Sequence, residues 1–582
     1  MKRRVFLAGG LGTLVILLAV GIWLYFSASQ LRSDLASAQA NVVEAQRSLL
    51  SGDASSAKTS ANGARVQAQV ASDRVHGVVW SVVASIPWLG SPLKSAQEMA
   101  DAVDDLATEV LVPSTELASV FGSGGADTEG TVRRLNAMQH SLEDLAVSSR
   151  QIAAEIDAIA PSWFGPVADA HAELHSKASR AAEMLGNADI AARLVPDMVG
   201  ISGGRSYFLA IQTPSEARAT GGLLGAFAIV DARNGRVSTP TLGQNAELEN
   251  PRVRQVNLGS EFNDLYTWTH AYTDNRNNNI SPSFPDAARI WIANWKHQTG
   301  QLLDGAIAID PIALSYVLDV TGPVTLPDGE KITADNVVPI TLSTSYERFA
   351  GDNAERKAYL QTIAKATVEQ ISNTTASTGA LLEALGHGVS DRRIMIYSTR
   401  PEEQELLEST DLGHQLPDSM ASLADVTIGN VAGNKIDYYL KREISYAADA
   451  CTGETRGSTV TVKLTNTLTD LSLPKYVIGS MGAPSADLPL GTNFANVQFT
   501  LTKGANVLDL TVNGGPEFYW EGSLQGHPVA VTQVRIPAGK SVEVKLRLNE
   551  PTSAHGDVQV PIQPLVDTPT VNVDVPTCGD EK

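Results

Sequence analysis

The chain has 582 residues, of which 43% are hydrophobic and 19% charged, so it can build real cores and wholesale disorder is excluded. Its 44 Lys+Arg against 64 Asp+Glu leave a formal charge of −20, which excludes a nucleic-acid binder that works by neutralising phosphates. Two cysteines exclude a zinc ribbon, a cysteine-ligated iron–sulfur site and a disulfide-dense scaffold, and leave room for a single bridge. At roughly 100–200 residues per domain, the length predicts three to five structural units.

Residues 5–26, VFLAGGLGTLVILLAVGIWLYF, carry no charge. At about 1.5 Å per residue such a helix matches the roughly 30 Å hydrocarbon core of a bilayer. Trp23, Tyr25 and Phe26 sit at its far end, and Lys2, Arg3 and Arg4 precede it. The expectation is therefore a short cytoplasmic tail (1–4), an uncleaved transmembrane helix (5–26), and a bulk on the outer face of a cell membrane. The competing reading is a signal peptide cut near Ser27, Ala28 and Ser29. VVWSVVASIPWLG (78–90) is too short to cross and is expected to be buried, the alternative being an interfacial position.

Residues 27–199 read as a helical stalk or bundle. Gly52-Asp53 breaks the first apolar period into two helices, and FGSGGADTEG is a loop by its glycines. His171 and His175 lie four apart on a helix, but Ala172 stands where a zincin has Glu, so they read as solvated surface.

Residues 200–435 read as a mixed α/β domain. YFLAIQ (207–212) is a buried strand, and residues 225–242 form a hairpin around Asn234-Gly235. A helix covers 283–300, followed by a strand at 302–310 and a helix at 311–322 with Pro at its first turn. An Asp-Gly hairpin (324–333), a helical stretch (352–386) and a strand (392–399) complete the domain. From 436 to 582 the apolar residues alternate in a period of two, the signature of a β-sandwich. Cys451 and Cys578 lie near its ends; in an oxidising exterior they pair, the alternative being two unrelated thiols.

The α/β domain holds two stretches with site chemistry. In IQTPSEARATGGLLGAF, Gln212, Glu216 and Arg218 precede Gly221-Gly222. Glycines let backbone N–H groups approach a ligand, and an arginine grips phosphate or carboxylate in a fork. The alternative is a structural Glu216–Arg218 pair bracing a turn. The second stretch, residues 263–288, mixes Asp264, Tyr266, Trp268, His270, Tyr272, Asp274, Asn275, Arg276 and Asn279. Amides suit sugar hydroxyls and rings suit apolar sugar faces, whereas a surface loop held by Asx turns is the alternative.

RSYFLAIQTPSEARATGGLLGAF, NRNNNISPSFPDAA and DGAIAIDPIALSYVLDVTGPV, with SYERFAGDNAERKAYL and RRIMIYSTRPEEQELL, resemble the domain-of-unknown-function 4012 family. That resemblance implies an anchored extracytoplasmic protein of bacterial envelopes, frequent in actinobacteria and linked to surface polysaccharide. A more distant similarity is to LytR-CpsA-Psr proteins, which transfer glycopolymers from a polyprenyl-pyrophosphate carrier. Their order of elements is similar, but the R-x-D-T segment expected after the first strand is missing. Carried over, this similarity makes Arg218 and Arg276 the pyrophosphate ligands, with Glu216 or Asp274 holding Mg²⁺ or acting as base. Gln212, Gly221, Gly222, Tyr272, Asn275 and Asn279 would complete the ligand contacts, with Arg252 and Arg254 as weaker candidates.

The expected fold is thus multidomain α+β: a single N-terminal transmembrane helix, a helical stalk, a LytR-CpsA-Psr-like α/β domain and a C-terminal β-sandwich. Two functions remain open. One is glycopolymer assembly or attachment, with a polyprenyl-linked glycan and a cell-wall polymer as partners. The other is a non-catalytic envelope scaffold or adhesion protein that binds glycan or a partner protein.

Overall fold

The computed structural model describes residues 37–578 apart from 50, 87, 89, 119–127, 373, 375, 377 and 482–487. Two compact units result, one built from the helices before Gly203 and the other from nearly everything after Gly204.

The first unit is helical. Asp53 caps the helix Ala54–Val75 by accepting from Ser56 N (3.0 Å). That helix buries Ala57, Ala61, Ala64, Ala68 and Ala71, a row of small residues at three- and four-residue spacing. The helices Gln139–Asp157 and Gly165–Met198 pack around Leu142, Leu145, Ile152 and Ile156. His171 Nε2 meets Ile156 O (2.7 Å) and His175 Nε2 meets Asp157 Oδ1 (3.3 Å), so both rings are engaged within the bundle. Residues 78–90 depart from the expected burial. Trp80 is buried, but Val78, Val82 and Trp88 face outward.

The membrane expectation is corrected. Among the described residues no helix is long and apolar enough to cross a membrane. The long helices carry charges throughout, for example Lys58, Arg65, Asp73 and Arg74 within Ala54–Val75. A single-pass anchor and a cell-membrane location therefore have no support here, and the expected span at 5–26 lies outside the described residues.

The second unit opens with a five-stranded sheet. Its strands are β1 (Arg205–Arg218), β2 (Gly221–Arg233), β3 (Arg236–Gln244), β4 (Gly305–Ile309) and β7 (Met395–Ser398), in the order β3-β2-β1-β4-β7. β1–β2 and β4–β7 are antiparallel pairs and β1–β4 is parallel. Asn234 and Gly235 both have positive φ (51° and 77°), as the expected tight turn between β2 and β3 requires. The helix Phe284–Thr299 covers the sheet, packing Phe284, Trp291 and Trp295 against Phe208 and Phe227. Asp310 caps the next helix, Pro311–Thr321, accepting from Ile312 N (2.9 Å) and Ala313 N (2.8 Å). A small hairpin, β5 (Val324–Thr325) with β6 (Lys331–Ile332), follows.

The β-sandwich pairs a six-stranded sheet with a four-stranded one. Its strands are β8 (Ala424–Asn430), β9 (Leu440–Ala448), β10 (Thr455–Asn466), β11 (Asn493–Leu501), β12 (Asn506–Val512), β13 (Gly515–Pro516), β14 (Trp520–Leu524), β15 (His527–Ile536), β16 (Ser541–Pro551) and β17 (Thr570–Asp574). The sheet orders are β13-β12-β16-β10-β9-β17 and β14-β15-β11-β8. Burial alternates along β10 and β16, and Val460, Val462, Leu464, Val544, Leu546 and Leu548 fill the space between the sheets. The four-stranded sheet includes β8, so it draws on residues before 436.

Cys451 and Cys578 form a disulfide. It links the segment after β9 to the tail after β17, the strand lying parallel beside β9. The closed loop spans 127 positions. On the chain-entropy account a loop of that size stabilises by about 5 kcal/mol. A Cys451→Ser/Cys578→Ser protein should therefore unfold at markedly lower temperature and denaturant concentration than wild type. An unchanged melting temperature would show that the bridge adds nothing to the fold.

Candidate functional site

β1 does not end where a glycine-closed ligand loop would begin. It runs on to Arg218, with an irregularity between Thr213 and Ala217, and turns through Ala219 and Thr220 into β2. Glu216 and Arg218 are thereby carried into the interior, at 4% and 6% exposure. Arg218 Nη2 donates to Glu216 Oε1 (3.2 Å), and Lys435 Nζ donates to Glu216 Oε2. Arg218 also donates from Nε to Arg276 O (2.8 Å) and from Nη1 to Ala217 O (2.8 Å) and Asn430 O (3.4 Å). Burial pushes the Glu216 carboxyl up, but Lys435 and Arg218 outweigh it and hold the carboxyl below its ordinary range. Burial likewise pulls the Lys435 ammonium down, and Glu216 overcomes it, so its pKa is raised.

These contacts join the α/β sheet to the sandwich. Asp437 follows Lys435 by two positions, and its Oδ2 accepts from Ala217 N (2.8 Å) and Asn430 Nδ2 (2.7 Å). Its Oδ1 accepts from Asn493 Nδ2 (2.7 Å). Gln563 Nε2 donates to both Arg218 O (2.7 Å) and Ile428 O (2.8 Å).

Gly221 and Gly222 are required by protein packing. A Cβ on Gly222 would sit 2.2 Å from Thr213 C, inside the irregular part of β1. Gly221 has φ +126°, and its Cβ would meet Pro564 O at 3.1 Å. Beside them lies a buried amide knot. Gln212 Oε1 accepts from Gly222 N (2.9 Å), Thr220 Oγ1 (3.2 Å) and Asn279 Nδ2 (3.3 Å), and Asn279 Nδ2 also donates to Gly222 O (2.8 Å).

The second stretch supplies the remaining candidates. Arg276 turns back on Asp274, donating from Nε to Oδ1 (2.9 Å) and from Nη2 to Oδ2 (2.6 Å). Burial opposes ionisation of Asp274, yet the Arg276 hydrogen bonds hold its carboxyl below the ordinary range. The Arg276 side chain itself is 67% exposed. Arg218 and Arg276 thus touch through a guanidinium and a backbone carbonyl, while their charged ends take different partners. Tyr272 is buried, and its hydroxyl donates to Asn263 Oδ1 (2.7 Å) and accepts from Leu258 N (3.1 Å). Asn275 Nδ2 donates to Leu248 O and Glu249 O, both at 3.1 Å. Arg252 and Arg254 lie on the surface, with Arg254 Nη1 reaching Asn257 Oδ1 (3.5 Å).

Asn275 also borders a shallow cleft with Glu249, Trp291, Asn294 and Gln298. The buried Trp291 Nε1 and Asn294 Oδ1 have no hydrogen-bond partner among the described residues. Its interior has room for about one water molecule, too little for a sugar ring. Among the described residues, no group of three or more His, Cys, Asp or Glu could hold a metal ion. Both carboxylates considered for Mg²⁺, Glu216 and Asp274, are engaged by cations of the chain itself.

One buried polar group had no sequence signal, because its members come from four separate segments. His414 O accepts from Phe284 N (2.9 Å), and Asp286 Oδ2 accepts from Ser281 Oγ (2.7 Å) in the first turn of the same helix. Burial pushes the Asp286 carboxyl up to about 6. Asp425, at the start of β8, is also pushed up to about 6 by burial, with Arg392 pulling the other way. Burial and the Arg392 charge hold His414 well below its ordinary value.

The pair of charge clusters separates structural from surface effects. Lys435→Met should lower unfolding free energy by about 3–5 kcal/mol, because it leaves Glu216 short of a buried partner. Arg276→Ala breaks an exposed pair and should change it by less than about 1 kcal/mol. Denaturant titration decides between them, and equal effects would refute the assignment.

A raised carboxyl pKa means that the folded state holds the proton more tightly than the unfolded chain. The stability from protonated Asp286 and Asp425 is present below about 4 and is lost as pH rises through about 6. Asp286→Asn and Asp425→Asn should therefore gain on wild type between pH 4 and pH 7, by about 3 kcal/mol each. A stability difference that stays flat with pH would refute both assignments.

Residues 202–346 match the family model described as "Protein of unknown function (DUF4012)". The resemblance drawn from the sequence motifs is borne out over that stretch, which contains β1, the Gly221-Gly222 turn and the amide knot. No curated protein matches the chain, and no solved structure does, so the similarity to LytR-CpsA-Psr proteins gains no support.

Proposed function

We propose that this protein is a non-catalytic glycan-binding scaffold, which holds glycan in glycopolymer assembly or attachment and does not transfer it. The observation that carries this reading is the fate of Arg218. Its guanidinium is spent on Glu216, Ala217, Asn430 and Arg276 inside the fold, where a carrier pyrophosphate would need it facing outward. Arg276 stays exposed, but both arms of its guanidinium are closed onto Asp274. Phosphoryl transfer depends on cations gathered around the phosphates, and these two charges serve carboxylates of the chain.

The glycan part of the reading rests on residues 263–288. Amides and hydroxyls there are ordered by their own hydrogen bonds, and Trp268 stands exposed among them. An indole beside amides is chemistry suited to sugars. The Cys451–Cys578 disulfide fits work in an oxidising compartment.

The test is to incubate the full chain with a short polyprenyl-diphosphate-linked oligosaccharide, Mg²⁺ and a cell-wall glycan acceptor. Retention of the oligosaccharide with no release of polyprenyl phosphate or diphosphate is expected. Turnover of the carrier that disappears in Arg218→Ala, with the variant still folded, would overturn the reading.

A further inference from the structure

Three aromatic rings of the second unit stand in solvent together. Trp268 is 61% exposed, Phe518 66% and Trp520 42%. Large aromatics normally carry the burial of a fold, so a group of three left outside is a feature to explain. Trp268 and Trp520 stack at 6.1 Å between centroids with planes 30° apart. Phe518 stands at 86° to Trp520, 5.0 Å away, so the two rings make a right-angled corner.

The rings meet through a specific fit. Trp520 opens β14, an edge strand of the four-stranded sheet. Two residues on, Gly522 lies against Leu265, whose Cδ2 is 2.4 Å from where a Cβ would be. The missing side chain lets the helix Ser260–Tyr266 lie close on β14. Glu261 secures it by accepting from Ser523 Oγ (2.8 Å) and Gly526 N (3.2 Å). The chain then turns at Thr267–Thr269 and delivers Trp268 to Trp520.

We propose that Trp268, Phe518 and Trp520 form a stacking platform for an uncharged glycan. This rests on the glycan-binding reading above and assigns it a surface. A pyranose presents an apolar C–H face that packs on an indole, and the corner with Phe518 supplies a second wall. Exposed Glu517 and Glu521 flank the rings in the chain. Glu517 already accepts from Phe518 N (3.2 Å), so what the pair brings to the patch is negative charge, which repels polyanions and anionic lipid. The rings expose roughly 300–400 Å², no more than half of the ~800 Å² per partner that a stable protein interface buries. The patch therefore suits a few sugar units better than a folded partner or a second copy.

The experiment is affinity electrophoresis of the full chain through gels containing yeast mannan, larch arabinogalactan or amylopectin, with polygalacturonate as the anionic comparison. Wild type should be retarded by at least one neutral polymer and not by polygalacturonate. Trp268→Ala and Phe518→Ala, each melting like wild type, should bind about tenfold or more weakly, a loss on the scale of one or two stacked rings. Trp268→Phe should keep part of the affinity, and Trp163→Ala, an exposed tryptophan of the other unit, should keep all of it. If wild type is retarded and the two alanine variants equal it, the platform is overturned while glycan binding stands. If no neutral polymer retards wild type, the glycan reading falls and the platform with it. Equal retardation by polygalacturonate overturns the preference for uncharged glycan.

Discussion

The second unit depends on one buried charge arrangement. Glu216, at the end of β1, is held between Arg218 of the same strand and Lys435 from the segment after β8. A carboxylate at 4% exposure is tolerable only if cations compensate for its lost hydration, and here two do. The compensating lysine lies between β8 and β9, within the sandwich, so satisfying the charge draws the two layers together. Asp437 and Gln563 add hydrogen bonds to the backbone of Ala217 and Arg218 across the same joint. The glycines follow from it, since β2 can lie against the irregular end of β1 only where Gly222 has no side chain.

This arrangement also decides how the candidate residues bear on function. An arginine and a glutamate near two glycines are the materials of an anion site. Placed inside and matched to each other, they are the materials of a joint. The same joint holds the α/β layer and the sandwich in one register, and the ring cluster needs that register because Trp268 and Trp520 come from the two layers. The buried joint in one place and the exposed ring cluster in another are then consequences of one fit.

Much of the architecture was legible in the residues. Alternation along β10 and β16, the Asn234-Gly235 turn, the helix start at Pro311 and the helix Phe284–Thr299 all reflect local periods and local backbone preferences. The disulfide was legible because the chain has only two cysteines. Less was legible where apolar side chains had a choice of surroundings. In residues 78–90 Trp80 is buried while Val78 and Val82 are not, since a short helix has room to bury only one face. The strand β8 gave a weak signal because seven residues between turns resemble a connection until β11 pairs with them.

The residue pattern by itself determined the element types, the sandwich and the presence of Gln212, Glu216, Arg218 and the aromatic-amide stretch as the chemically richest segments. Only the tertiary structure decided which way that chemistry faces. Glu216 meets Lys435 across 219 positions of chain, and Trp268 meets Trp520 across a helix seated on a glycine. Helix and strand periods are set by neighbours within a few residues, whereas desolvation and ion pairing are set by whatever the fold brings alongside. A charge's partner, and hence its availability to a ligand, is therefore a property of the packed chain.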